Sequence, residues 1–446
     1  MASGMDVVAL VVHYARTGYW HHVQTVADQV IKKRGRAPVL TFWRAYGVAR
    51  EREYAAAIRE FDTLRTNRAV EFPAILALLW AHQRTDLTDH EAIDELSSAK
   101  RRSEGRATSE ALLLASSFTW LSGDHAEARR IVQLVLDREE LGREGDGTIP
   151  RTPNGVRALT LRGWIDLTCA GAGGAGNDGG AGASNSKGKS SKSKAAGSSS
   201  SDAEARAFAA RSIEYFNRAL GDRSDSKRDL EAMMGCARYY ELQGKYTESL
   251  DALNQAIVMY HWFHPALSEK AKVLVRMGDW DQAFDTAERV RSRDAYDIEA
   301  LRIMLLHALL RSPSGSASGN AGAHEDADHT GGSTKRIAKL IKVLLESLDR
   351  HEPKNAALYF QCARPLARLA SRRPEVLKLT LELVKRAQRL APADSGCVTE
   401  AAYQSLLMGR LQRANDLYKQ AAGLDDGNVD AVTGMIRCQV GYFESS

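Results

Sequence analysis

Two stretches of the chain, MMGCARYYELQGKYTESLDALNQA (residues 233–256) and LSEKAKVLVRMGDWDQAFDTAERV (residues 267–290), align without a gap at an offset of 34 residues. Ala237, Gly244, Tyr246 and Ser249 in the first fall on Ala271, Gly278, Trp280 and Ala283 in the second. The same internal spacings return in Ala402, Gly409, Ala414, Tyr418 and Ala421, and at the start of the chain in Val11, Gly18, Trp20, Val23 and Ala27. Self-similarity at a fixed period of this length marks a repeat architecture, in which each unit buries its apolar face only against its neighbours.

The period is that of tetratricopeptide repeats, two antiparallel helices A and B per unit. Small residues on A (Ala237, Ala271, Ala402) and on B (Ala283, Ala414) let the two axes approach closely. The glycines between them (Gly18, Gly123, Gly244, Gly278, Gly409) are expected to take the left-handed conformation that ends helix A. An aromatic two residues later (Trp20, Tyr246, Trp280) is expected to wedge into the pair, and Pro392 falls where a B helix should stop. If Trp280 is buried, its truncation to Ala costs about 3–5 kcal/mol. Outward from these anchors, ten helical pairs are expected at 5–34, 38–67, 73–102, 108–140, 155–220, 230–262, 264–294, 298–351, 355–391 and 395–425. The fold class is therefore all-α, a right-handed superhelical tetratricopeptide solenoid continuous over residues 1–446. A last helix, Asn428–Tyr442, reads as an A helix without a B partner, with Val432, Met435, Ile436 and Val440 on an uncovered face. Solenoid ends are capped by polar faces, so this face is expected to belong to the front part of a longer protein.

Two low-complexity tracts interrupt the pattern, residues 170–201 (Gly, Ala, Ser, Lys) and 312–334 (Gly, Ser, Ala with an acidic centre). Neither composition can bury enough apolar surface to offset ordering entropy, so disordered insertions are expected. Each lies between a plausible A helix and a plausible B helix of one repeat. Loop closure costs grow slowly with length, so the pair survives the insertion.

Composition narrows the chemistry. The chain has 61 basic and 56 acidic residues, a net charge of +5, too even a balance to point to nucleic acid. Cys169, Cys236, Cys362, Cys397 and Cys438 are scattered, with no CxxC pair, as expected of packing residues in a reducing compartment. No basic segment precedes Val7–Val12, so no signal peptide is expected, and the apolar run Ala74–Ala81 is too short to span a bilayer. Ala183-x-x-x-x-Gly188-Lys189-Ser190 fits a relaxed phosphate-loop pattern but lacks the strand and helix that aim its amides. His324-Glu-Asp-Ala-Asp328-His329 gathers metal-capable groups within a low-complexity tract and reads as a solvated acidic run, while His21 and His22 lack an HExxH setting. Lys187, Lys189, Lys192 and Lys194 read as solvated linker. No paired carboxylates or cysteine nucleophile with its histidine stand out, so catalytic residues, cofactors and metals are expected to be none, and binding residues remain unassigned.

Several idiosyncratic segments carry a closer likeness. They are YARTGYWHHVQTVADQVIKKRGRAPVLTFWRAYGVAREREYAAAIREFDTL near the N-terminus, ALLWAHQ (77–83), GWIDLT (163–168), GDWDQAFDTAERV (278–290), IEAL (298–301), EPKNAALYF (352–360) and GRLQRANDLYKQAAGLDDGNVDAVTGMIRCQ (409–439). In this order they resemble the N-terminal part of the tetratricopeptide repeat protein 21 family, the intraflagellar transport 139 subunit of intraflagellar transport complex A. The resemblance implies a non-catalytic scaffold in retrograde ciliary transport and ciliary membrane-protein trafficking. Its implied partners are the other complex A subunits, dynein-driven trains and cargo adaptors, with no nucleic acid and no transmembrane insertion. The implied locations are cytoplasm, cilium or flagellum and basal body. The competing reading is a cytosolic peptide-binding adaptor or co-chaperone that grips a carboxylate. Such clamps use Lys, Arg and Asn on A helices, and the A helices at 7–17, 40–52, 74–84, 232–243, 266–276 and 398–408 contain no Asn.

Overall fold

Apolar residues recur at helical spacing throughout, and the structure follows them. In Trp280–Arg291 the buried positions are Ala283, Thr286, Ala287 and Val290, one face of a helix whose first turn is capped by the Asp279 carboxylate accepting from the Gln282 amide. In Pro374–Leu390 proline opens the first turn, Val376, Leu377, Thr380, Leu381, Leu383, Val384 and Ala387 are buried, and the helix ends just before Pro392. A computed structural model describes residues 4–35, 37–85, 89–141, 152–174, 197–221, 228–311, 326–370 and 373–445. These residues form twenty-one α-helices and no strand. In chain order they are α1 (Gly4–Thr17), α2 (Trp20–Arg34), α3 (Pro38–Arg50), α4 (Tyr54–Leu64), α5 (Glu71–His82), α6 (His90–Glu104), α7 (Ser109–Leu121), α8 (His125–Leu141), α9 (Pro153–Gly174), α10 (Gly197–Leu220) and α11 (Leu230–Leu242). Then follow α12 (Tyr246–Met259), α13 (Pro265–Met277), α14 (Trp280–Arg291), α15 (Ile298–Arg311), α16 (Asp326–His351), α17 (Ala356–Ala370), α18 (Pro374–Leu390), α19 (Ser395–Leu407), α20 (Leu411–Leu424) and α21 (Val429–Ser445).

Odd-numbered helices are the A members and even-numbered ones the B members, which reproduces the ten expected pairs and the additional last helix. The fold class is all-α, of tetratricopeptide-type helical hairpins. The chain divides into two compact units, Met1–Val273 and Leu274–Ser446, the boundary falling within α13. In the first unit each hairpin packs on the next and the A helices also touch in sequence, α3 on α5, α5 on α7, α7 on α9 and α9 on α11. In the second, α15 packs on α17 and α17 on α19, while α18 bridges α16 and α19.

All five turn glycines take positive φ, from 71° at Gly244 to 97° at Gly123. In the second repeat the same place is held by Arg52 at φ 68°, the only non-glycine in that region among the described residues. The small A and B residues are fully or almost fully buried, Ala271, Ala283, Ala402 and Ala414 at 0% and Ala237 at 3% exposure. Close approach of the axes lets side chains bond across the pair. Ser116 on α7 donates to the Ala128 carbonyl of α8, and Ser249 on α12 donates to the Ala237 carbonyl of α11, both at 2.8 Å. The aromatics two residues after the glycine behave differently from expectation. Trp20, Tyr246 and Trp280 are half-buried at the start of their B helices. The burial condition for a large Trp280→Ala loss is therefore not met.

Helix runs into both low-complexity tracts, α9 to Gly174, α10 from Gly197 and α16 from Asp326. A packed helical core supplies the nucleus, and adding further turns to it is cheap. The phosphate-loop-like stretch 183–190 and Lys187, Lys189, Lys192 and Lys194 lie outside the described residues, as do the side chains of 324–329.

Candidate interaction surfaces

The A helices of the first unit carry a dense set of rings, and these meet one another. Phe42 and Tyr46 on α3 pack edge-on against Phe118 on α7 at 5.7 and 5.5 Å. Trp80 on α5 lies 5.9 Å from the same Phe118, and Trp120 and Trp164 tilt together at 6.2 Å between α7 and α9. Three polar tips are satisfied across the helices. The Tyr46 hydroxyl donates to the Leu121 carbonyl at 2.9 Å, Trp120 Nε1 to Thr168 Oγ1 at 3.0 Å, and Trp164 Nε1 to the Glu231 carbonyl at 3.0 Å.

The first helix joins the fifth and sixth repeats. Arg16 on α1 lies 3.8 Å over the Trp164 ring of α9 and donates to the Glu231 carboxylate of α11 at 2.7 Å. His13, 5% exposed, meets Phe263 edge-on at 5.5 Å. Burial, with the charges of Arg16 and Lys272 adding to it, holds the His13 imidazole well below its ordinary pKa, so it is neutral at pH 7. The A helices of this unit are thus held against one another by their own side chains.

Three arginines on this inner array recur every 34 residues, Arg16, Arg50 and Arg84. Each stands on an indole. Arg50 lies 4.3 Å over Trp20 and 5.9 Å over Tyr46, and Arg84 lies 4.5 Å over Trp80. Nothing in the sequence reading singled them out, although their spacing carries the same period as the turn glycines.

Groups considered for chemistry are placed as packing. Cys236, Cys362, Cys397 and Cys438 are buried and Cys169 half-buried. Burial pushes the thiols up, Cys236 to about 12 and Cys362 to about 11, which keeps them protonated and poorly nucleophilic. His21 sits 3.4 Å from the Glu51 carboxylate, and His22 packs on Tyr14 at 4.9 Å. Among the described residues no group of three or more His, Cys, Asp or Glu is positioned for a metal ion, and no helix is long and apolar enough to cross a membrane. An open depression of about 510 Å³ between α4, α5 and α6 is lined by Asp62, Arg65, Glu71, Arg102 and Arg106, with Arg65 paired to Asp62 and Glu95. On α21, Val432, Ile436 and Val440 are 44–56% exposed, as is Val429 at 73%, whereas Met435 packs against the Ala402–Tyr418 cluster.

Comparison with known proteins matches residues 11–284 to the description "Tetratricopeptide repeat protein 21 N-terminal ARM repeat" and residues 339–442 to "Tetratricopeptide repeat protein 21 second ARM domain". The chain is similar to human tetratricopeptide repeat protein 21B, 29% identical over 98% of this chain and 28% of that protein. It is similar to the Xenopus laevis 21B protein at 27% identity over 97% of this chain and 28% of that protein. Among solved structures, a tetratricopeptide repeat protein from Parabacteroides merdae aligns with TM-score 0.41 and 11% identity, over 74% of this chain and 98% of that one.

Proposed function

Since the chain belongs to the tetratricopeptide repeat protein 21 family and spans about 28% of the length of its curated relatives, we propose that it is a non-catalytic scaffold of intraflagellar transport complex A. In this reading it holds partner subunits and cargo adaptors for retrograde ciliary transport and for the trafficking of ciliary membrane proteins. It works in the cytoplasm, at the basal body and along the cilium or flagellum. The observation that carries the proposal is the family match, which extends over both units. The stacked hairpins support it physically, because tetratricopeptide-type hairpins leave helix faces available to protein partners. The absence of Asn from the A helices named above weighs against the co-chaperone that grips a C-terminal carboxylate.

Affinity purification from ciliated cells followed by cross-linking mass spectrometry tests the proposal. The expected result is co-elution in a stable, high-mass assembly, with cross-links from the B helices to other complex A subunits. Elution as a free monomer in extract overturns it.

A further inference from the structure

Of the three periodic arginines, Arg16 has its countercharge among the described residues, and the other two do not. Glu231 places its carboxylate on Arg16 while the guanidinium rests on Trp164. Arg50 and Arg84 occupy the same place in the following two repeats and rest on the same kind of platform, yet no carboxylate of the described residues lies within ion-pair distance of either. Their hydrogen bonds go to neutral oxygens. Arg50 Nη1 faces the Leu121 carbonyl at 3.4 Å and the Tyr46 hydroxyl at 3.5 Å, and Arg84 Nη1 faces the Trp80 carbonyl at 3.1 Å. A guanidinium offers five N–H donors in a fixed fork, so most of this capacity is unused.

The two cations share one aromatic run. Trp20 and Tyr46 meet at 5.9 Å and Tyr46 and Trp80 at 6.1 Å, so the platforms beneath Arg50 and Arg84 are contiguous. The Trp80 Nε1 is buried and has no acceptor among the described residues. Burial lowers the Arg84 pKa and the Arg50 charge adds to that lowering, as expected of neighbouring cations lacking an anion. Donors are in excess at this place, and Arg16 with Glu231 displays the arrangement an added carboxylate would complete.

We propose that Arg50 and Arg84, seated on Trp20, Tyr46 and Trp80, form a docking site for carboxylate side chains of an acidic segment of a partner protein. The proposal goes beyond the scaffold reading and does not depend on which assembly the chain joins. Arg50 is half-buried among rings and Arg84 exposed. That geometry suits one or two side-chain carboxylates received end-on, whereas a nucleic-acid backbone or a membrane surface needs a broad exposed basic face.

Anisotropy titration of a dye-labelled hexaglutamate peptide against the full chain at low salt is the test, with hexaglutamine as the neutral control. Saturable, salt-sensitive binding of hexaglutamate alone is expected. Arg84→Gln, at an exposed position that leaves the helical circular dichroism unchanged, should weaken it about tenfold, the worth of one charge-assisted bond. Lys32→Gln with Lys33→Gln, exposed cations on the neighbouring α2, should change it by no more than about twofold, as expected for exposed surface charges. No saturable binding, equal binding by Arg84→Gln and the unaltered chain, or an equal loss in the Lys32/Lys33 variant overturns the site.

Discussion

In the first unit, neighbouring A helices meet through rings and the cations resting on them, with Phe42, Tyr46, Trp80, Phe118, Trp120 and Trp164 following one another from α3 to α9. The corresponding seam between α17, α18 and α19 in the second unit is a chain of polar groups. Arg368 bonds to the Glu400 carboxylate at 2.8 Å, Gln404 Nε2 donates to the same oxygen at 3.0 Å, and Thr380 Oγ1 donates to Gln404 Oε1 at 3.1 Å. Glu400 and Gln404 are 3% and 0% exposed. Small residues lie buried between paired helices in both units, Ala237 and Ala271 in the first and Ala283, Ala402 and Ala414 in the second. What fills the seam is a separate choice. Rings give non-directional burial that tolerates small shifts, whereas the polar chain holds only while every member keeps its partner.

The ring-filled seam should suffer most from the loss of a single side chain. Phe216 on α10 is fully buried between α9 and α11, each of which presents a glycine to it. A Cβ on Gly235 would stand 2.4 Å from the Phe216 ring, and one on Gly163 2.6 Å. Phe216→Ala should cost about 3–5 kcal/mol in chemical denaturation. Gly235→Ala should also destabilise, and the double variant should cost clearly less than the sum of the two, because the smaller residue at 216 makes room for the added methyl. Additive costs would mean that the ring does not set the spacing of α9 and α11.

In the polar seam, Glu400→Ala removes the acceptor of the buried Gln404 amide and should cost about 1–3 kcal/mol. Arg368 is 40% exposed and recovers hydration, which keeps the loss within that range. The two regions should also respond oppositely to pH. The folded-state pKa of His13 is depressed, so its contribution is present above its unfolded pKa of about 6.5 and is lost as pH falls below that. Glu400 is raised, chiefly by burial, with Gln404 and Arg368 opposing. Its contribution is present below its unfolded pKa of about 4.3 and is lost as pH rises through the raised folded value. His13→Gln should flatten the acid side of the melting-temperature profile, and Glu400→Gln the neutral side. A profile unchanged by either substitution would break the contrast.

Between paired helices the two seryl bonds provide an internal measure of the shared spacing. Ser116→Ala and Ser249→Ala each remove a buried bond of the same length, one donated from the A helix and one from the B helix. Each should cost about 1 kcal/mol. Equal losses would support a common axis separation, and a much smaller loss at one site would show that its pair relaxes.

The hairpins were legible in the sequence because their requirements are local and periodic. Gly18, Gly123, Gly244, Gly278 and Gly409 all adopt the left-handed turn, and Ala271, Ala283, Ala402 and Ala414 all lie in the core. Contacts between repeats far apart in sequence were not legible. No 34-residue spacing reveals that Arg16 meets Glu231, or that Tyr46 bonds to the Leu121 carbonyl, because such contacts depend on how successive hairpins rotate. Arg16, Arg50 and Arg84 stand at the repeat period in the sequence, but only the structure places each on an indole and pairs Arg16 with a carboxylate. Half-burial of Trp280 was missed for a related reason, since a repeat pattern places an aromatic at the turn without saying how much of its ring the neighbouring chain covers.

The smallest expected effect concerns the turn itself, where one repeat departs from the rest. Arg52 holds a φ of 68° that glycine holds at 73° at Gly409 in the second unit. A side chain in the left-handed region costs about 1–2 kcal/mol, and glycine loses part of that advantage through the greater freedom of its unfolded chain. Arg52→Gly should therefore stabilise the protein by about 0.5–1 kcal/mol, while Gly409→Ala should destabilise it by about 1 kcal/mol. Nothing lies within 4 Å of a Cβ built at Gly409, so the loss there would be conformational strain alone. Opposite signs at the two sites in thermal denaturation would establish that the turn makes the same demand in both units. A destabilising Arg52→Gly would instead show that the Arg52 side chain supplies contacts worth more than the strain of its backbone.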